Sequence, residues 1–245
     1  QYEWLMPGPR LAVALRASRV LALELDITDP ATQQALVQGL SEGLTAVAMT
    51  DSQRERLKRQ IDRACMPAAG MGLLHPVMQV ATLATQAARW DGLFAQFGSE
   101  LMLITLARAG QLQVVPLESA WDQLRALVPT DAAKARRLFE QGLRDLEDDQ
   151  SRPQLRRLAA AWEAGRLEEL ADYPNWCDCI RDDDDAALMK RLLDGRNPHL
   201  ADKLDELDRT GVPFLAAVGA LHMIGPQGLP SLLQKRGFKV ELVGR

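Results

Sequence analysis

Apolar and polar positions along this chain follow mostly the period of a helix, interrupted by a few short runs that are apolar throughout. The first such run is Val20-Leu-Ala-Leu-Glu-Leu-Asp26, preceded by a helically spaced segment from Pro9 to Ser18 and closed by Thr28-Asp29-Pro30. A strand covered on both faces needs apolar residues at successive positions, so this run predicts a buried strand with acids at its C-terminal end. Gln113-Val-Val-Pro-Leu-Glu118 and Pro213-Phe-Leu-Ala-Ala-Val218 predict two more, and Phe238-Lys-Val-Glu-Leu-Val243 predicts a closing strand.

Helices fill the intervals. Asp29 and Pro30 suit the cap and first turn of one, and Asp51 is expected to cap a charged helix running through Arg63. Pro76 opens another through Ala88, and Gly98 to Ala109 closes at Gly110. Further helices are predicted at Ala120–Val128, Asp131–Asp149, from Pro153 through Leu170, and at Asn197–Arg209, the last ended by Gly211. The run Asp182-Asp-Asp-Asp185 lacks the spacing of a calcium loop and reads as a solvated helix N-terminus. Helix between apolar strands indicates an α/β (mixed α+β) fold. It should be helix-rich, with a small central sheet of short buried strands and a helical middle insertion at about 120–195. No repeat or low-complexity linker marks a boundary, so residues 1–245 are expected to form a single domain.

Composition narrows the partners. A net charge of −4 gives no whole-protein attraction to phosphate backbones, and 5% aromatic residues provide no stacking platform for single strands, so no nucleic acid partner is expected. The longest strongly apolar stretch, Pro213 to Gly225, is shorter than the about 20 residues that a membrane-spanning helix needs.

Candidate chemistry gathers at strand ends. Open α/β sheets carry their sites outside the carboxyl ends of the strands. There the sequence places Glu24, Glu118 and the loop Gly219-Ala-Leu-His222: two carboxylates and an imidazole, enough for metal binding or acid–base work. The other histidines, His75 and His199, have no ligand partner at i+4 and are expected at the surface. Gly70-Met-Gly72 lacks the strand–turn–helix context of a phosphate loop, no G-x-S-x-G elbow occurs, and spacing supplies no base for a cysteine nucleophile. Cys177-Asp-Cys179 and the distant Cys65 are too few for a closed zinc ribbon. At least one of the C-x-C pair is expected in a disulfide, with Cys65 the favoured distant partner and the small, strained C-x-C ring as the alternative.

Several segments together resemble one family. Trp4-Leu-Met-Pro-Gly-Pro-Arg through Glu24, Gly98-Ser-Glu-Leu-Met-Leu-Ile-Thr-Leu-Ala-Arg, and Val-Val-Pro-Leu-Glu118-Ser-Ala-Trp-Asp-Gln123 are similar to the TraB/GumN family, to which the Tiki proteases are related. The tail is the most specific part: Arg196-Asn197, a helix, Ala-Val-Gly219-Ala-Leu-His222, Gly-Pro-Gln-Gly-Leu, and Leu-Leu-Gln-Lys-Arg-Gly237-Phe. The family carries two G-x-x-H signatures. The second is Gly219 to His222, and the resemblance puts the first, with a strand beside Val20–Asp26, immediately before Gln1. A chain beginning at Gln1 is therefore expected to be inactive until those residues are restored.

The resemblance implies a metal-dependent hydrolase, of the peptidase kind, acting on a peptide or protein substrate in a bacterial periplasm or after secretion. Glu24, Glu118, Arg196, Asn197 and His222 would share its pocket, with His222 and Glu24 holding a divalent metal (manganese, cobalt or zinc). The glycine of the loop would permit a tight turn that aims the imidazole across the strand ends. Arg196 would neutralise an acid or stabilise an oxyanion. Which glutamate ligates and which acts as base is left open. The alternative is a non-catalytic protein on the same scaffold that binds a peptide or small ligand.

Overall fold

A computed structural model describes residues 6–41 and 44–243. Helices take up 62% of it, beside a sheet of three short parallel strands, in agreement with the expected helix-rich α/β class. In chain order the elements are α1 (Pro9–Ala17), β1 (Val20–Leu23), α2 (Pro30–Ser41), α3 (Asp51–Arg63), α4 (Ala68–Gly72), α5 (Pro76–Ala87), α6 (Ser99–Ala109) and β2 (Gln113–Pro116). They continue with α7 (Ala120–Leu127), α8 (Ala132–Glu147), α9 (Ser151–Glu163), α10 (Leu167–Ala171), α11 (Tyr173–Trp176), α12 (Asp183–Leu192), α13 (Asn197–Asp208), β3 (Phe214–Ala217) and α14 (Leu229–Lys235). The chain divides into two compact units. One comprises Gln1–Asp29, Gln96–Ser119 and Ala160–Arg245, and the other Pro30–Ala95 and Ala120–Ala159.

The first unit holds the sheet, ordered β2-β1-β3. All four residues of β1 are buried, because both of its faces are covered. Leu21 and Leu23 pack with Leu103, Ile104 and Ala107 of α6. Ala22 points the other way, into a cluster with Leu200, Ala201 and Leu204 of α13 and Leu229 and Leu232 of α14. The two-residue side-chain period of a strand produces this split, and it explains why the run is continuously apolar. Both neighbours of β1 are taken, Val20 pairing with Gln113 on one side and Phe214 on the other. The edge of Val20–Asp26 expected to be left unpaired is therefore filled within this chain. Phe238 to Val243 forms no strand either: Leu242 and Val243 are exposed, and Lys239 pairs with Glu241 at 2.5 Å. Strand propensity without a partner edge makes no sheet.

The second unit is a helical cluster in which α3, α5 and α8 enclose Leu57, Val80, Leu83, Phe139 and Leu143. α5 and α8 approach closely at Gly142, where a Cβ would stand 2.7 Å from Val80 Cγ2. The cap of α3 is Thr50 rather than Asp51. Thr50 accepts from the Gln53 amide, and the Gln53 side chain accepts from the Thr50 amide, a reciprocal capping box. His75 is buried, not at the surface. Its Nδ1 accepts from the Val77 amide as the cap of α5, so Nε2–H donates to the Thr45 carbonyl at 2.7 Å. Arg56 binds α8 through a fork, Nε and Nη2 to Glu147 at 2.9 and 2.5 Å and Nη1 to Glu140 at 2.7 Å. The Arg56 hydrogen bond, opposed by burial, holds the Glu147 carboxyl below the usual glutamate range. At Glu140 burial raises the value, but the bonds from Arg56 and Gln53 outweigh it and the net shift is also downward.

The C-x-C pair is disulfide-bonded as expected, but the expected partner, Cys65, is corrected. Cys177 and Cys179 bond to each other across Asp178, whose φ of 51° closes the ring, and Cys65 is a free, exposed thiol. Asp182 caps α12 by accepting from the amides of Asp184 and Asp185, as the acidic run suggested. Among the described residues no helix is long and apolar enough to cross a membrane.

Candidate functional site

The chain leaves β1 towards β2 on one side, and β3 lies on the other, so β1 stands where the direction of winding reverses. In parallel sheets the crevice beyond such a strand is the usual ligand position. All five residues singled out from sequence meet there, and all belong to the first unit. Glu24 follows Leu23 and therefore projects to the face of Ala22, the α13 side. Glu118 lies two residues past β2, its amide donating to the Glu24 carbonyl at 3.1 Å. Arg196 and Asn197 open α13, with Asn197 nearly fully buried. His222 sits in a 3-10 turn, Ala220–Met223, just after β3.

Arg196 is the hub. Its Nε donates to Glu118 Oε1 and Oε2 at 2.9 and 3.2 Å, and its Nη2 donates to Glu118 Oε2 and, at 2.5 Å, to Glu24 Oε2. Nη1 donates to the Leu192 carbonyl at 3.2 Å and faces His222 Nε2 at 3.3 Å. The Glu118 side chain is only 2% exposed, against 15% for Arg196 and 21% for Glu24. Burial, the largest influence on Arg196, works against its charge; Glu118 and then Glu24 outweigh it, so the net shift of its pKa is upward.

The His222 tautomer follows from its neighbours. Asn197 Nδ2 donates to the Gln227 carbonyl at 2.7 Å, which leaves Asn197 Oδ1 facing His222 Nδ1 at 2.6 Å. An amide oxygen only accepts, so Nδ1 carries the proton and Nε2 keeps its lone pair. Burial pushes the His222 pKa down. Glu24 pulls it up, the Arg196 charge adds to the lowering, and the net direction is down. The imidazole is thus neutral near pH 7, with a lone pair aimed at Arg196 and Glu24.

Gly219 contributes differently from the sequence expectation. Its φ of −54° is open to any residue, so no special freedom is needed to turn the chain. Its N–H donates to Glu24 Oε1 at 2.7 Å and fixes that carboxylate. The Gly219 amide and the carbonyls of Gln227 and Leu192 are site groups that sequence reasoning missed, since a backbone donor or acceptor leaves no mark on residue identity.

Donor chemistry decides whether a divalent cation suits these residues. Glu24 Oε2 lies 3.8 Å from His222 Nε2, and two ligand atoms about 2.1 Å from a tetrahedral ion are about 3.4 Å apart. The pair has ligand types that divalent ions take, spaced about 0.4 Å wider than that edge, and Glu24 Oε2 also accepts from Arg196 Nη2 at 2.5 Å; the hydrogen bond at Nδ1 is the support that ligating histidines usually have. Among the described residues no three His, Cys, Asp or Glu side chains are placed to hold one metal ion together, and the Arg196 guanidinium faces the same lone pair.

Fold and site together define a parallel α/β protein with an arginine-linked pair of glutamates and a tautomer-fixed histidine at the strand ends. A family model matches residues 1–242, and the chain belongs to the TraB/PrgY/gumN family. No curated protein and no solved structure matches it.

Proposed function

We propose that this chain is a metal-dependent hydrolase of the peptidase kind, in which His222 and Glu24 hold a divalent cation. The observation that supports it most is the buried His222 Nε2 lone pair, held by Asn197, 3.8 Å from Glu24 Oε2. Manganese, cobalt or zinc bound there would supply Lewis acidity and an acidified water. The remaining work belongs to the chain. Asn197, itself fixed by the Gln227 carbonyl, keeps the imidazole in one tautomer and one orientation. Glu118, bonded on both oxygens, holds the Arg196 guanidinium between carboxylates and imidazole, where it can stabilise negative charge growing on a substrate oxygen. The carboxylates are the groups in reach to accept a proton from water.

An exported location, periplasmic or secreted, is part of the same reading, and the Cys177–Cys179 disulfide supports it, since such bonds persist in oxidising compartments. A rival has its own support: Arg196 already neutralises both glutamates and faces His222 Nε2, an arrangement also suited to a peptide-binding protein without catalysis. Incubating the full-length protein with a peptide library and manganese, cobalt or zinc separates the two. The hydrolase reading expects cleavage that a chelator abolishes and that His222→Ala lowers at least about 100-fold. Metal-independent cleavage, none at all, or equal cleavage by His222→Ala would overturn it.

A further inference from the structure

Beside the candidate site, within the same unit, lies a pocket of about 200 Å³ that the chemistry above does not use. Its walls belong to the two segments that build the site. Leu193 and Asp194 immediately precede the Gly195-Arg196 turn, and Leu221 and Ile224 bracket His222. Tyr173 and Pro174 of α11 form a third side, the tyrosine ring held edge-on against Trp176 with centroids 4.9 Å apart. The volume is below the about 300–1,000 Å³ of a site for a whole drug-sized ligand and suits one side chain.

The lining has one chemical bias. Pro174, Leu193, Leu221 and Ile224 make it apolar, while its charged group is the Asp194 carboxylate. Asp194 makes no side-chain hydrogen bond or ion pair among the described residues, nor does the Tyr173 hydroxyl, and the neighbouring cations Lys190 and Arg191 do not line the pocket. Burial pushes the Tyr173 phenol up, so it stays neutral at pH 7. An apolar sleeve with an unpaired carboxylate and a phenol complements an aliphatic stem that ends in a cation. Lysine and arginine side chains have that form. A purely aliphatic side chain would fill the apolar part and offer nothing to the exposed Asp194 carboxylate.

We infer that this pocket takes a lysine or arginine side chain of a peptide bound at the His222 site, and so selects basic residues next to the bond presented there. The inference rests on the peptide reading of that site. Its test reads binding and not cleavage. Two short peptide amides identical except for lysine or norleucine at one position are titrated into the metal-free full-length protein and followed by fluorescence anisotropy, with wild type and Asp194→Asn. The lysine peptide should bind about tenfold more tightly, and Asp194→Asn should reduce that preference to within about twofold. Equal binding of the two peptides, a preference unchanged in Asp194→Asn, or no binding of either would overturn the inference. A lysine preference in a protein that cleaves nothing would keep the pocket and remove the hydrolase. Metal-dependent cleavage without the preference would do the reverse.

Discussion

Replacing Arg196 by methionine removes a cation that Glu118 and Glu24 share while keeping most of the aliphatic bulk. Two penalties follow. Glu118, almost fully buried, loses the donor that binds both of its oxygens. Breaking a buried ion pair by removing one member costs about 3–5 kcal/mol, because the remaining charge is left without compensation. The second penalty is repulsion. Oxygens of both glutamates bond the same Nη2. They are therefore within about 5 Å of each other, and at an effective dielectric near 20 that is roughly 3 kcal/mol of repulsion that Arg196 now cancels. These figures overlap, since relaxation that relieves one relieves the other, so the net expectation remains about 3–5 kcal/mol. For a chain of this length that lowers the melting midpoint by roughly 6–20 °C. The assay is thermal unfolding followed by circular dichroism at pH 7.5. The double variant Arg196→Met/Glu118→Gln, with the orphaned charge removed, should recover more than half of the loss. An Arg196→Met protein within about 1 kcal/mol of wild type, or a double variant no more stable than the single one, would refute this account of the site.

Other consequences are testable in the same way. Gly142→Ala should destabilise by about 1–3 kcal/mol in chemical denaturation, because its methyl would meet Val80 Cγ2 at 2.7 Å across α5 and α8. Glu140 and Glu147 sit below the ordinary glutamate value of 4.5 when folded, so the stability they add is present above that pH and is lost as pH falls through their lower folded values. Glu147→Gln should therefore flatten the acid limb of the stability curve below about pH 4.5, and an unchanged limb would contradict the Arg56 fork. Alkylation of the native protein should label Cys65 alone. The variant Cys177→Ala/Cys179→Ala should lose less than about 2 kcal/mol on chain-entropy grounds, since so short a loop restricts the unfolded chain little.

What could be read from the sequence follows from what each segment buries. β1 announced itself because both faces are covered, and its alternation sends Leu21 and Leu23 to α6 and Ala22 to α13. The convergence of Glu24, Glu118 and His222 was legible from strand ends alone, whereas Arg196 and Asn197 entered through the family resemblance. Phe238 to Val243 carries the same alternation as a strand, but strand formation depends on a partner edge, and sequence does not display edges. His75 looked like a surface residue because its partners are the Val77 amide and the Thr45 carbonyl, both backbone groups. Thr50 displaced Asp51 as a cap because the reciprocal bond with Gln53 satisfies two amides at once. The C-x-C ring was passed over in favour of Cys65 because ring closure turns on a left-handed φ at Asp178, which residue type does not announce.

The account depends most on the His222 lone pair being held at Nε2 and offered to a divalent ion. A long-range ¹⁵N–¹H spectrum of the labelled full-length protein reads the tautomers of His75, His199 and His222 directly, and added manganese broadens whichever ring it binds. Protonated Nδ1 and bare Nε2 at His222, with His222 signals lost at manganese concentrations that leave His75 and His199 sharp, is the result expected. A His222 protonated on Nε2, or signals that persist as long as those of His75, would contradict the central claim.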